Sequence, residues 1–430
     1  MKHTLIKMIL LIGLFSGFSS PKPLQQSTIE FRNATVVSNY PDGVTFRIEI
    51  CGRPVNSSVV LYYSTDLDIS RYGQWTKERW SLDEGQTADN CDKRKFTLQT
   101  RELHLPPLSP IRYYWSLVQG KDTSQSPRYI YFCKDGKYNW KSMKDANFVV
   151  WWHDRPDSFG QEVLSIADTA AKDQSTFYSM ALVSPINIVI ANTSDEFFAW
   201  QSKENYAGGL AYPELNLTVG LVDEQHNHQS WLNDVIPHEI SHIYFGHLVA
   251  QDSGAPYWLN EGLATYQEYS GHYEEWQYVR NAYDQNRVLS LKDLEYTFGE
   301  NEGDARLAYA ESYYAVLYME EFYGPQAVSN LFVQFKNGRT EYYAFDKAFG
   351  RNPIDFEKDY KLWLAKRIET APPNTSHQKA LSASQSNWLF AILVLLCSLP
   401  FLFVAFGAGA IFILWKLISV SSKKDKSTVS

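Results

Sequence analysis

Cysteine is scarce in this chain. Its four cysteines, Cys51, Cys91, Cys133 and Cys397, fall at no zinc-finger spacing, which excludes a structural zinc module built on thiolates. Basic residues are in deficit as well. Forty Lys and Arg against 48 Asp and Glu leave a formal net charge of −8, so we expect no nucleic-acid partner. Charged residues make up only 20% of the chain and hydrophobic ones 44%, a globular and not a disordered composition. At 430 residues the chain exceeds one ordinary core, and two domains with appendages are expected.

Charge is also missing from one long stretch. Trp388 to Trp415 contains no Asp, Glu, Lys or Arg over 28 positions, more than the ~20 residues a bilayer-spanning helix needs. Trp388 and Trp415 mark its interfaces, and Lys416, Lys423, Lys424 and Lys426 follow it. The expected topology is a single-pass, type I membrane protein with a cytoplasmic tail (416–430), a polar stalk (369–387) and everything from about residue 21 outside the cytoplasm. Residues 1–20 read as a signal peptide: Lys2 and Lys7, an apolar run from Met8 to Phe18, then small residues. An uncleaved N-terminal anchor is the alternative. In an oxidising setting Cys51, Cys91 and Cys133 can form one disulfide, for which Cys51–Cys91 is our choice among pairings that sequence leaves open.

Residues 27–135 hold no acid pair, nucleophile triad or metal cluster. They are short alternating runs cut by turn signals. Val44, Phe46, Ile48 and Ile50 alternate with Thr45, Arg47 and Glu49, and further extended runs cover 58–63, 97–105, 113–118 and 128–132. This pattern predicts an all-β sandwich, fibronectin- or Ig-like by analogy, acting as a spacer.

From 140 to 368 the pattern becomes α+β and then mainly helical. It holds the one stretch with explicit chemistry, Pro237-His238-Glu239-Ile240-Ser241-His242. Two histidines four apart on a helix share a face, so one zinc ion can sit between their rings. Glu239, one step round the helix, reaches a water beside the metal instead of the metal itself. A catalytic zinc needs a third ligand and an open position. Glu261, separated from His242 by residues 243–260, supplies it on a second predicted helix, Pro256 to Tyr269. Glu268 lies two turns beyond Glu261 on that helix. It is either a hydrogen-bond acceptor for the other N–H of a ligand histidine or a solvated carboxylate. The metal helix is predicted to start at Asn233 or Asp234, placing Pro237 in its first turn, where proline is tolerated.

H-E-x-x-H, an eighteen-residue gap, and then Asn260-Glu261-Gly262-Leu263-Ala264 together resemble the gluzincin metallopeptidases, most closely the aminopeptidase-type branch and the peptidase MA-like family. The resemblance implies a thermolysin-like fold, one zinc per chain and a peptide or protein substrate. It also implies a tyrosine that donates to the oxyanion. Tyr309-Ala310-Glu311-Ser312 resembles the helix start that carries it, with Tyr309 the candidate and Tyr313 and Tyr314 as rivals. In the aminopeptidase branch a glutamate on a G-x-M-E-N strand grips the substrate amine. The equivalent stretch here, Gly208 to Tyr212, has no acid at that place, and Glu214 is out of register. We therefore expect an endopeptidase, with Gly209, Leu210 and Ala211 binding extended substrate through their backbone. The rival class is a surface adhesin or binding protein that keeps the fold without turnover.

Overall fold

Strict alternation makes the first part of the chain a sandwich. On β2 (Gly43–Cys51) Val44, Phe46, Ile48 and Ile50 are at most 1% exposed, while the residues between them face outward. The computed structural model describes residues 28–371 apart from 66–76, 183–184, 201–207, 224–227, 250–252, 297 and 299–301. The expected signal peptide and the apolar segment from Trp388 to Trp415 lie outside the described residues. Among those described, no helix is long and apolar enough to cross a membrane.

One sheet of the sandwich joins β1 (Glu30–Asn39), β2, β6 (Asp92–Leu98) and β5 (Leu82–Gln86), in that order. The other runs β4 (Lys77–Trp80), β3 (Ser58–Thr65), β7 (Pro110–Gln119) and β8 (Asp122–Gln125), with β9 (Tyr129–Phe132) paired to the first half of β7. Ile111, Tyr113, Trp115 and Leu117 of β7 bury against the β2 side chains, with the Phe46 and Tyr113 rings 4.5 Å apart. A disulfide joins Cys51 and Cys91, and Cys133 is a buried free thiol. The extended run expected over 97–105 is broken. β6 stops at Leu98, and Arg101–Leu103 forms a 3-10 turn. The Thr100 hydroxyl donates to the Pro41 carbonyl at 2.7 Å and bends the chain there.

The third sheet has the order β10 (Lys141–Lys144), β11 (Phe148–Trp152), β12 (Ile186–Ala191), β14 (Leu217–Leu221), β13 (Gly209–Tyr212). β11, β12 and β14 are parallel, and the two outer strands are antiparallel. β12 is apolar at every position but Asn187 because both its faces are covered. Val189, Ala191, Leu217, Val219 and Leu221 share one apolar cluster with the sandwich core. On α1 (Asp157–Phe177), Gly160 lies so close to Trp152 that an added Cβ would meet the indole at 2.3 Å.

The rest is helical: α2 (Ser194–Ala199), α3 (His228–Leu248), α4 (Tyr257–Tyr266), α5 (Tyr273–Asp284), α6 (Glu302–Tyr318), α7 (Pro325–Lys336), α8 (Glu341–Phe349) and α9 (Pro353–Thr370). The chain divides into two compact units, Met1–Lys361 and Leu362–Ser430; the sandwich, the third sheet and the cleft described next all belong to the first. Two helix boundaries differ from expectation. α3 starts at His228, so Pro237 sits in its interior and not in its first turn. α4 ends at Tyr266, so Glu268 lies beyond it.

Candidate metal centre and cleft

α3 brings His238 and His242 to one face, with ring centroids 4.9 Å apart. α4 crosses it and aims Glu261 between them. Glu261 Oε2 lies 3.5 Å from His238 Nε2 and 3.4 Å from His242 Nε2. Ligands held at ~2.05 Å around a tetrahedral zinc are separated by roughly 3.3 Å, so these donor atoms already stand at a ligand set's spacing. The other ring nitrogens are committed. His238 Nδ1–H donates to Glu268 Oε1 at 2.7 Å, and His242 Nδ1–H donates to Asn260 Oδ1 at 2.9 Å. Both bonds put the proton on Nδ1 and leave the Nε2 lone pair facing Glu261, the tautomer a zinc ligand needs. On these grounds the residues present fit a zinc ion.

The electrostatics agree. Burial by itself would raise the Glu261 carboxyl, but the two imidazoles outweigh it and hold the group well below the usual carboxylate range. Burial likewise opposes charging of His238 and His242, and the facing carboxylates more than compensate, raising both.

Close packing fixes α4 against its neighbours. A Cβ on Gly262 would lie 2.4 Å from the backbone oxygen of Ser312, so α4 and α6 meet at a distance only glycine allows. This gives a structural reason for the glycine that follows the ligand glutamate.

Glu239 is 5% exposed and sits beside the histidines; ligand atoms of His238, Glu239 and His242 all lie within 4.8 Å of one another. Its carboxylate rests on β13. A Cβ on Gly209 would come within 2.2 Å of Glu239 Oε1. β13 ends the sheet, pairing with β14 on one side. Gly209, Leu210 and Ala211 line a cleft of about 610 Å³ together with the metal ligands, Glu239 and Tyr309. The turn after β13 is pinned to α3, where Gly246 packs on Pro213 and His247 Nε2–H donates to the Pro213 carbonyl at 3.1 Å. His247 is thus structural.

Of the three tyrosine candidates only Tyr309 lines the cleft. Its ring centroid is 6.2 Å from that of His238 and 4.9 Å from that of Phe298, which it meets edge-on. Tyr313 stacks on His272 at 4.1 Å and Tyr314 packs on Trp276 at 5.7 Å, both buried in the helical core. Glu214 is exposed on the turn after β13 and does not line the cleft. Two roles escaped sequence reading: Asn260 as the partner of His242, and Asp234 as the partner of Ser270 through Oδ1 at 2.9 Å. Asn260 stands in the N-E-G motif, where its neighbour's role as a ligand could have drawn attention to it. Asp234 had been read as a helix cap.

Residues 168–366 match the family model of the Peptidase MA superfamily. The match covers 199 of the 430 residues, just under half, and makes this part of the chain similar to the peptidase MA superfamily. Three curated relatives are aminopeptidases by name. Endoplasmic reticulum aminopeptidase 2 of Bos taurus is 37% identical over 71 residues, 16% of this chain and 7% of that protein. Aminopeptidase M1 of Arabidopsis thaliana is 40% identical over 75 residues, 17% of this chain and 8% of that protein. Glutamyl aminopeptidase of Homo sapiens is 35% identical over 83 residues, 19% of this chain and 9% of that protein. The chain thus spans less than a tenth of the length of these relatives. The gluzincin type of this superfamily carries zinc, and the His-Glu-x-x-His group here is consistent with a zinc site.

Proposed function

We propose that this chain is a membrane-anchored, extracytoplasmic zinc peptidase that cuts within polypeptides. The observation that carries the peptidase reading is the convergence of Glu261 Oε2 on both imidazole Nε2 atoms, at 3.4 and 3.5 Å, with Glu239 alongside. His238, His242 and Glu261 would hold the metal. When bound, zinc lowers the pKa of a coordinated water towards ~7 and polarises a substrate carbonyl.

The protein's own groups do the rest. The Glu239 carboxylate accepts a proton from the attacking water and delivers it to the departing amine, so the peptide C–N bond breaks with no net change in the enzyme. The Tyr309 hydroxyl donates to the oxygen on which negative charge develops. β13, at the end of its sheet, offers main-chain groups to an extended substrate. An internal segment of a polypeptide needs no carboxylate to neutralise a free amine, and β13 carries none: Gly209, Leu210, Ala211 and Tyr212 are all uncharged. That favours cleavage within chains over removal of N-terminal residues. Membrane anchoring rests on the uncharged run from Trp388 to Trp415 and the lysines after it.

The test is metal analysis and casein digestion by the full chain in detergent, with and without a chelator, beside Glu239→Gln. We expect one zinc per chain in both proteins, chelator-sensitive cleavage of wild type at internal bonds, and activity lower by about 10²–10⁴ in the variant. Wild type that holds zinc but cleaves nothing would instead point to a binding protein on a peptidase fold. Release of single N-terminal residues would refute the endopeptidase assignment.

A further inference from the structure

Pro237 stands inside the helix that carries both histidines. Proline has no N–H, so the helical bond that residue 237 would make to the Asn233 carbonyl is missing, and the ring pushes that carbonyl outward. The vacancy is filled from outside the helix: Tyr269 N–H donates to Asn233 O at 3.2 Å. The next residue along each segment repeats the contact. Asp234 Oδ1 accepts the Ser270 N–H at 2.9 Å, and Asp234 Oδ2 accepts the Ser270 hydroxyl. The preceding residue, Glu268, bonds His238 at 2.7 Å. Three consecutive residues, Glu268, Tyr269 and Ser270, therefore each engage α3. Asp234 and His238 are four apart, on the same helix face, one turn from each other.

This arrangement explains how Glu268 reaches His238 at all. Glu268 is past the end of α4 and has no helix to hold it. Its place is set by the two residues after it, which are locked onto α3 one turn before the histidine.

We propose that Asp234 is a positioning residue for the metal centre: by holding Ser270 it fixes the Glu268 carboxylate on His238 Nδ1, and so sets zinc affinity through Glu268 without being a ligand. The inference rests on the zinc reading above. Loss of an outer hydrogen-bond partner of a ligand histidine weakens metal binding by about 10–100-fold. Asp234→Ala frees the 268–270 segment and should produce a loss of that size by the same route as Glu268→Ala, which removes the acceptor outright.

The experiment is a chelator-competition titration of zinc against the full chain, comparing wild type, Asp234→Ala, Glu268→Ala and the double variant. The expected result is a 10–100-fold rise in Kd for each single variant, and a double variant no weaker than Glu268→Ala alone, because both act on one contact. Asp234→Asn, which keeps an acceptor for the Ser270 N–H, should recover most of the affinity. If Asp234→Ala does not fold, Ser270→Ala serves in its place. It should weaken zinc binding severalfold in the wild-type background and not at all in the Glu268→Ala background. Equal losses in both backgrounds, or unchanged affinity in Asp234→Ala, would overturn the assignment. Failure of wild type itself to bind zinc would refute the metal centre instead, so the two readings fail separately.

Discussion

Substituting Gly209 by alanine perturbs the proposed base without touching a metal ligand. The added Cβ would lie 2.2 Å from Glu239 Oε1, 2.6 Å from Cδ and 2.8 Å from Cγ. Carbon and oxygen atoms rest in contact at about 3.5 Å, so the carboxylate must retreat by at least ~1 Å. Three side-chain atoms are crowded together, so turning the carboxylate in place does not relieve the clash and the side chain must swing to another rotamer. Misplacing a reacting group by ~1 Å costs about 10²-fold in rate, or ~2.7 kcal/mol of barrier. The ceiling is the whole base contribution, about 10²–10⁴-fold. Glu239 is long and its neighbourhood opens into the cleft, so folding should suffer by only about 0.5–1.5 kcal/mol, the scale of an off-rotamer side chain. The assay is kcat on an internally quenched peptide, with zinc affinity measured in parallel. We expect kcat down by about 10²-fold or more and zinc affinity unchanged. A kcat within about threefold of wild type would refute the placement of Glu239 as base against β13. Loss of zinc along with activity would show that the damage runs through the ligand helix.

Gly262→Ala sets two effects against each other. Helix propensity favours alanine by about 1 kcal/mol, whereas a Cβ 2.4 Å from the Ser312 backbone oxygen forces α4 and α6 apart at a cost of about 1–3 kcal/mol or more. Backbone cannot rotate away as a side chain can, so we expect a net loss of stability in urea denaturation together with weaker zinc binding; a gain in stability would refute the close-approach account. Glu311 gives a pH signature. It is fully buried on α6, its Oε1 accepts the Leu289 N–H at 3.0 Å, and burial pushes it up to about 7 from an ordinary 4.5. Between those values the folded chain holds a proton that the unfolded chain releases. The group's contribution is therefore complete below pH ~4.5 and lost as pH rises through ~7, on the order of 3 kcal/mol in all. Denaturation of wild type against Glu311→Gln at pH 5 and pH 8 should show the difference shrinking in the variant; equal pH dependence in both proteins would refute the assignment.

The sequence by itself determined the candidate site. His238, Glu239 and His242 were legible because spacing on a helix dictates which side chains share a face, and that rule needs no tertiary context; Glu261, on another helix, was legible through the eighteen-residue gap and the N-E-G motif. The alternation on β2 and β7 was legible for the same local reason. Glu268 was found for a reason the structure corrects: it reaches His238 from beyond the end of α4, not from two turns along it. Sequence did not delimit α5, α7 or α8, and it reached α6 only through the helix start at Tyr309. α6, for one, is buried nearly all round, from Ala305 and Leu307 to Glu311 and Tyr314, so no polar stripe marks its period.

Only the tertiary structure decided which tyrosine lines the cleft, what Asn260 and Asp234 hold, and why residues 209 and 262 are glycine. Each of these depends on a distance between segments far apart in the chain: Gly209 from Glu239, Gly262 from Ser312, Asp234 from Ser270. Local periodicity carries no information about such distances. They are set by how the edge strand, the proline-interrupted α3 and the two crossing helices pack together, and that packing exists only once the chain has folded.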